Sequence, residues 1–335
     1  MAKRKKTNDA LMAARDNKSD EFYTQYDDVA REVEAYLDYD PDTFRDKTVL
    51  LPCDDPERSN FTRYFVRRFD ALGLKKLVST SIAAHGETRG RIFTLSRGET
   101  PPAAPRWGYL DGDGDFRGAE ASRLRDEADM IVTNPPFSLF REFVAWIMAA
   151  GKKFLIIGNQ NALTYKEFFP YIQSNRVWLG VSITGGDRAF NVPDAYPLEA
   201  LTCGVDEQGR KFIRVKGVRW FTNLEHGRRH QPLPLMTMAE NRRSSPHKLI
   251  RERGYPRYDN YDAVEVSYTD AIPSDCGETM GVPITFLDKY CPEQFEIVGL
   301  DRYTVPKEKL IGGRVAIGGK PCYARILIRK KTGGA

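Results

Sequence analysis

At 335 residues, 41% of them hydrophobic and 11% aromatic, the chain is long enough for a full α/β domain plus a smaller appended region. Its net charge of +5 suits a polyanionic partner without naming one. Five scattered cysteines (Cys53, Cys203, Cys276, Cys291, Cys322) with no C-x-x-C pair argue against a disulfide framework and a structural zinc site, and no apolar run reaches a membrane span.

Residues 1–18 open with Lys3-Arg4-Lys5-Lys6 and read as a basic flexible arm, serving either solubility or contact with phosphates. No apolar signal core follows, so a reducing, cytoplasmic setting is expected. Val29, Val33, Tyr36 and Leu37 recur at helical spacing, and Thr48 to Leu51 is a short strand. Phe61, Tyr64, Phe65, Phe69 and Leu72 stripe the next helix, and Leu74 to Ser81 is a second strand. Arg91 to Leu110, with Gly98 and several prolines between apolar patches, suggests a hairpin-like insertion. A helix over Ala119 to Ala128 leads into the strand Asp129 to Thr133. Leu139, Phe143 and Ile147 make an amphipathic helix that Gly151 ends. Phe154 to Ile157 and Val177 to Val181 are further strands, with an aromatic helix from Tyr165 to Ile172 that Pro170 shortens or kinks. Strands alternating with helices in this way predict an α/β fold, a mostly parallel sheet with helices on both faces.

After about Gly185 helical periodicity fades, and Lys211 to Thr222 and Tyr323 to Arg329 read as alternating strands. The segment from Arg228 to Arg257 is strongly basic (Arg228, Arg229, Arg242, Arg243, Lys248, Arg251, Arg253, Arg257). The expected organisation is the arm at 1–18, a core at 19–184, and a basic, strand-rich region at 185–335 that completes the core and recognises a target.

Asn134-Pro135-Pro136-Phe137 follows its strand directly, at the carboxyl end where open α/β sheets place ligands. The Asn carboxamide oxygen and the carbonyl of Pro135 can accept both hydrogens of an exocyclic amine. The prolines fix φ and bring no competing N–H, and Phe137 offers a face for a heteroaromatic ring. A chain of this composition would contain such a tetrapeptide by chance only about 0.02 times. The plainer reading is a Pro-Pro loop with Phe137 in the core.

Two acidic turns stand at comparable positions. Cys53-Asp54-Asp55-Pro56 follows the first strand, where carboxylates can hold the ammonium of a methionine moiety and would repel a pyrophosphate; the same pair could simply cap the next helix. Asp111-Gly112-Asp113-Gly114-Asp115-Phe116 lacks the bidentate Glu of a calcium loop, so no metal is expected there. It fits better as an adenine pocket. His226 and His230 lie four apart without the Glu of an H-E-x-x-H site, which reads as a solvated basic segment.

Taken in order, these segments resemble AdoMet-dependent adenine-specific DNA methyltransferases, most closely the EcoRI-type adenine methylase family of restriction–modification systems. The matching stretches include KSDEFYTQY, CDDPERSNFTRYF, GDGDFR, IVTNPPFSLF, KKFLIIGN, MGVPITFLDKY, PEQFEIV and ARILI, from about residue 18 to residue 329. NPPF is shared with many amine methylases, whereas GDGDFR and MGVPITFL are more particular to the family. The resemblance implies a class I, Rossmann-like methyltransferase sheet with S-adenosyl-L-methionine across its carboxyl edge. By motif, Tyr23 and Thr24 lie near the methionine part, and Cys53, Asp54 and Asp55 form the first cofactor loop. Asp115 and Phe116 hold the adenine of the cofactor, and Asn134, Pro135, Pro136 and Phe137 hold the target base. Ser79-Thr80-Ser81 departs from the pattern, offering no acid where such enzymes commonly bind the ribose hydroxyls.

The implied reaction is methyl transfer to the 6-amino nitrogen of an adenine flipped out of double-stranded DNA. A cognate restriction endonuclease is the functional partner to look for, and neither a membrane nor a metal is expected. Two alternatives stay open: a methyltransferase acting on another planar amine, such as an RNA base or a protein glutamine, and a DNA-binding homologue that has lost catalysis.

Overall fold

A computed structural model of the chain describes residues 24–84, 86–192 and 203–331. The basic arm and Tyr23 lie outside the described residues. The chain divides into two compact units, one of Met1–Gln160 with Leu179–Glu225, the other of Asn161–Trp178 with His226–Ala335. Residues 185–192 and 203–225 therefore belong with the first unit. Among the described residues no helix is long and apolar enough to cross a membrane.

The first unit is built on an eight-stranded sheet of order β4-β3-β2-β1-β5-β6-β11-β7. Its strands are β1 (Thr48–Leu51), β2 (Lys76–Ser81), β3 (Arg91–Ser96), β4 (Gly108–Tyr109), β5 (Met130–Thr133), β6 (Lys153–Asn159), β7 (Trp178–Leu179) and, later in the chain, β11 (Val218–Thr222). The centre is parallel, with β1 pairing β2 and β5, and β5 pairing β6. β3 and β4 extend it antiparallel as the expected hairpin, and β11 runs antiparallel to β6. The central strands are apolar throughout because both faces are covered. On one face, Val49 and Leu51 pack with Val29, Val33 and Tyr36 of α1 (Tyr26–Leu37) and with Phe61 and Phe65 of α2 (Asn60–Arg67). On the other, Leu50 and Val78 meet Leu124 of α3 (Ala119–Glu127), with Trp146 of α4 (Phe140–Ala149) against the same cluster. The helix α4 ends as the sequence suggests, near Gly151 at φ +62°.

The stretch Lys211 to Thr222 is not one alternating element. Gly217, at φ +70°, breaks it in two. β10 (Lys211–Lys216) joins β8 (Asp187–Asn191) and β9 (Cys203–Val205) in a small antiparallel sheet. β11 enters the main sheet, buried at every position, with Trp220 fully enclosed.

In the second unit, Pro170 opens rather than kinks its helix, because a proline is tolerated in the first turn, where its missing N–H costs nothing. That helix, α5, is short (Phe169–Gln173). A sheet of β12 (Val264–Glu265), β13 (Met280–Pro283), β14 (Phe295–Leu300) and β17 (Arg325–Lys330) has order β12-β13-β17-β14, and β15 (Ala316–Ile317) pairs with β16 (Lys320–Pro321). Of the basic segment, Arg242 and Arg243 lie exposed in the last turn of α6 (Met238–Ser244), whose start is fixed by a capping box of Thr237 and Glu240. Lys248, Arg251 and Arg253 sit on α7 (Lys248–Arg253). Arg257 pairs with Asp262 and Glu278, and Arg229 is buried over the ring of Trp178 at 3.7 Å. A short helix α8 (Asp301–Thr304) follows β14.

Candidate active site

The loop after β1 is folded around Asp54. This residue is 4% exposed, and its carboxylate accepts from Ser59 Oγ and Thr133 Oγ1, each at 2.6 Å. Its N–H donates to the Thr80 carbonyl at 2.8 Å, and its own carbonyl accepts from Ser79 Oγ at 2.6 Å. One residue thus ties together the ends of β1, β2 and β5 and the start of α2, where Ser59 caps by accepting from the Phe61 N–H. Asp55 accepts from the N–H groups of Glu57 and Arg58 at 2.8 and 3.0 Å, and its other oxygen faces Arg91 at 3.4 Å. Arg91 also pairs with Glu57 and Glu87 and lies over Trp107 at 4.2 Å, so the β3–β4 hairpin braces this loop. Cys53 is half-buried in the same loop.

The end of β2 carries Ser79, Thr80 and Ser81, all buried, and Ser81 Oγ has no hydrogen-bond partner among the described residues. The second acidic turn is pinned there: Ala83 N–H donates to the Asp113 carbonyl at 2.7 Å. Gly114, at φ +82°, could not be replaced, since a Cβ would come within 2.3 Å of the Ser81 carbonyl oxygen. Asp115 accepts from the Arg117 N–H and Nε, both at 2.9 Å, and Arg117 reaches on to Glu142 of α4 at 3.3 Å. Phe116 is 4% exposed, its ring edge-on to Phe143 and Trp146. Among the described residues no group of His, Cys, Asp and Glu is arranged to hold a metal ion.

Asn134 stands half-buried one residue beyond Thr133, so the hydrogen bond from Thr133 to Asp54 joins the acidic loop after β1 to the NPPF turn. Pro135 is buried, and Phe137 packs edge-on to Phe190 of β8, centroids 6.3 Å apart. The turn is anchored downstream by Phe140, which lies against β6 where Gly158 leaves room; a Cβ there would meet the Phe140 ring at 2.3 Å. Thr24, 3% exposed, joins the same edge, its carbonyl accepting from Asn60 Nδ2 at 2.8 Å at the start of α2. Thr24 Oγ1 has no hydrogen-bond partner among the described residues.

Three residues escaped the sequence reading. Glu32 of α1 is fully buried and accepts from Val181 N–H at 2.8 Å, Ser182 N–H at 2.6 Å and Tyr36 OH at 2.9 Å. Burial raises its carboxyl pKa against the pull of those donors. A lone Glu on a helix carries no sign of this, although Gly180 does, since a Cβ there would sit 2.1 Å from Glu32 Oε1. Gln25 donates from Nε2 to Asn191 Oδ1 at 2.7 Å, across 166 positions of sequence that no local pattern spans. Arg91 is the third, hidden in what reads as an ordinary hairpin.

The sequence profile of the family described as "Adenine-specific methyltransferase EcoRI" matches residues 10–101 and 104–331. The chain is 41% identical over 339 residues to the Type II methyltransferase M.EcoRI of Escherichia coli, covering 98% of each. It is 37% identical to the Type II methyltransferase M.MpnI of Mycoplasma pneumoniae, covering 85% of this chain and 83% of that one. A third relative, the Type II methyltransferase M.MgeORF184P of Mycoplasma genitalium, is 33% identical over 95% of this chain and 98% of its own length. With its NPPF turn tied to the acidic loop at the carboxyl edge of a parallel sheet, the chain belongs to the EcoRI-type family of adenine-specific methyltransferases.

Proposed function

We propose that this protein transfers the methyl group of S-adenosyl-L-methionine to the 6-amino nitrogen of adenine at a specific site in double-stranded DNA. The observation that carries the reading is the Thr133–Asp54 hydrogen bond, which holds the NPPF turn beside the acidic loop, in a chain of an adenine-specific methyltransferase family. The parallel centre with β11 reversed beside β6 supports a class I methyltransferase sheet. Buried hydroxyls of Thr24 and Ser81, without partners among the described residues at that same edge, fit a polar cofactor that would complete their hydrogen bonding. When bound, the cofactor supplies an electrophilic methyl on a sulfonium.

The residues divide the work. Thr24, Cys53, Asp54 and Asp55, with Tyr23, serve the methionine end, and Asp115 and Phe116 serve the adenine end of the cofactor. The target base must leave the duplex, at a cost of roughly a few kcal/mol. Stacking on Phe137 offsets about 1–3 kcal/mol of it. Asn134 and the Pro135 carbonyl accept the amine hydrogens, localising the nitrogen lone pair and aiming it; the gain is orientation and electrostatics. The proton leaves from the methylated amine, so no covalent intermediate on the chain is required. The exposed Arg242 and Arg243 serve the DNA backbone or a guanine edge, and a restriction endonuclease of the same specificity is the functional partner.

The experiment is a labelled-methyl assay on plasmid DNA, tRNA and protein, followed by sequencing of modified bases in DNA from expressing cells. N6-methyladenine at one recurring sequence is expected. Label in tRNA or protein alone would overturn the DNA assignment, and cofactor-independent DNA binding with no label anywhere would mark a binding protein.

A further inference from the structure

The strand whose ring meets Phe137 is gripped on both sides of that ring by one side chain. Phe190, 1% exposed, stands in β8 between Ala189 and Asn191. Gln25, the residue before α1, donates from Nε2 to Asn191 Oδ1 at 2.7 Å, and the Ala189 carbonyl lies 3.5 Å from the same nitrogen. Neighbouring side chains on a strand point to opposite faces. Gln25 therefore fastens the strand through the face away from the Phe190 ring, while that ring enters the core cluster against which Phe137 packs.

The same helix holds the other end of this segment. Glu32 stands seven residues after Gln25, on the same face of α1, and accepts from the N–H groups of Val181 and Ser182 at 2.8 and 2.6 Å. Residues 181–191 are thus tied to α1 at both ends. These ties matter because β8 hydrogen-bonds in the small sheet with β10, and not in the eight-stranded sheet whose β5 carries the NPPF turn. Side chains have to set its place beside that turn.

Phe137 is half-buried and opens a short 3-10 turn, Phe137–Leu139. Its ring is perpendicular to Phe190, at 87°, so Phe190 supports it without taking the place of a parallel, stacked base. A stacking face has to be held closely, since a misplacement of about 1 Å can cost about 10²-fold in rate. We infer that Gln25 is a positioning residue for methyl transfer: by gripping β8 on both sides of Phe190, it holds that ring against Phe137 and so fixes the face on which the target base stacks. The inference rests on the function proposed above.

The test is a set of mutant cycles on the full chain, reading single-turnover methyl transfer to plasmid DNA from labelled S-adenosyl-L-methionine. Gln25→Met keeps the length of the side chain and removes its donor; the rate should fall about tenfold. Asn191→Leu, which removes the acceptor, should match it, and the two together should lose no more than either alone. In a Phe137→Ala background, Gln25→Met should cost less than about twofold, because the ring it positions is gone. Calorimetry with S-adenosylhomocysteine should give wild-type affinity for the Gln25 and Asn191 variants, and thermal melts set an assay temperature at which all are folded. A wild-type rate for Gln25→Met overturns the assignment. So does an undiminished further loss in the Phe137→Ala background, the mark of a merely structural link. Cofactor affinity that falls with the rate also overturns it, giving Gln25 to the cofactor through its neighbour Thr24. A wild-type chain that labels no DNA overturns the proposed function, and this inference with it.

Discussion

In the first unit Asp54, 4% exposed, is held by the hydroxyls of Ser59 and Thr133, and Glu32 by backbone N–H groups and a tyrosine hydroxyl. In the second, Glu265, 3% exposed, is clamped by the guanidinium of Arg325, whose Nη2 lies 2.7 Å away, with Tyr258 and Ser267 adding hydroxyls. The chemistry of the donors separates the two. Hydroxyls and amides orient a carboxylate without cancelling its charge, which suits the proposal that the Asp54 loop meets a cationic ligand. A guanidinium cancels the charge, which suits a staple between strands. Asp54 and Glu32 of the first unit are thus held by neutral donors, and Glu265 of the second by a cation.

The largest effect should come from breaking the staple. Arg325→Met leaves Glu265 buried without its cation, and unfolding free energy should drop by about 3–5 kcal/mol in chemical denaturation. A loss within about 0.5 kcal/mol would mean that Glu265 takes up a proton or water at little cost, and the contrast between the units would fade.

Next in size is Asn134→Ala, which removes an acceptor needed mainly as the nitrogen attacks. Turnover should fall by about 10²–10³, with much smaller changes in cofactor and DNA affinity. Near-normal turnover would return the NPPF turn to the plainer reading, a loop that closes a strand. Phe137 should behave differently, because its aromatic face matters more than its identity: Tyr or Trp should keep substantial activity, and Ala should lose about 1–3 kcal/mol of base stacking. Fluorescence of 2-aminopurine at the target position reports the flipping. If Ala and Tyr variants perform alike, the contact with Phe190 is the whole role of the ring.

The smallest effect concerns the surface of the second unit. Replacing Arg242 and Arg243 with Gln should leave stability unchanged, since both are exposed, while the slope of log K against log salt becomes shallower by about 0.9 for each phosphate no longer neutralised. An unchanged slope with unchanged site preference would send the search for the DNA surface elsewhere, because Arg257 and Arg229 are already engaged by Asp262, Glu278 and Asn175.

How far the sequence reaches depends on the range of the interaction. β1 at Thr48–Leu51 and β5 at Met130–Thr133 are legible because a short apolar run between turn residues has few other uses. The glycine after α4 is legible for the same local reason. β11 is not, since Val218–Thr222 has the composition of any strand, and only the return of the chain from the small sheet inserts it beside β6. Its burial on both faces then removes the alternation that its neighbours in sequence led one to expect.

The same division holds in the site. Asn134 through Phe137 are proposed as an acceptor platform from local sequence alone, because proline geometry and an amide need no distant partner for that reading. Asp54, by contrast, reads equally well as a cap or as a ligand, and it takes Thr133, from a strand 79 positions away, to show that it joins the two halves of the site. Glu32 and Gln25 carry no local sign at all. Their hydrogen bonds reach residues 149 and 166 positions distant, and a buried polar group is defined by the partner that folding brings to it, which no window of sequence contains.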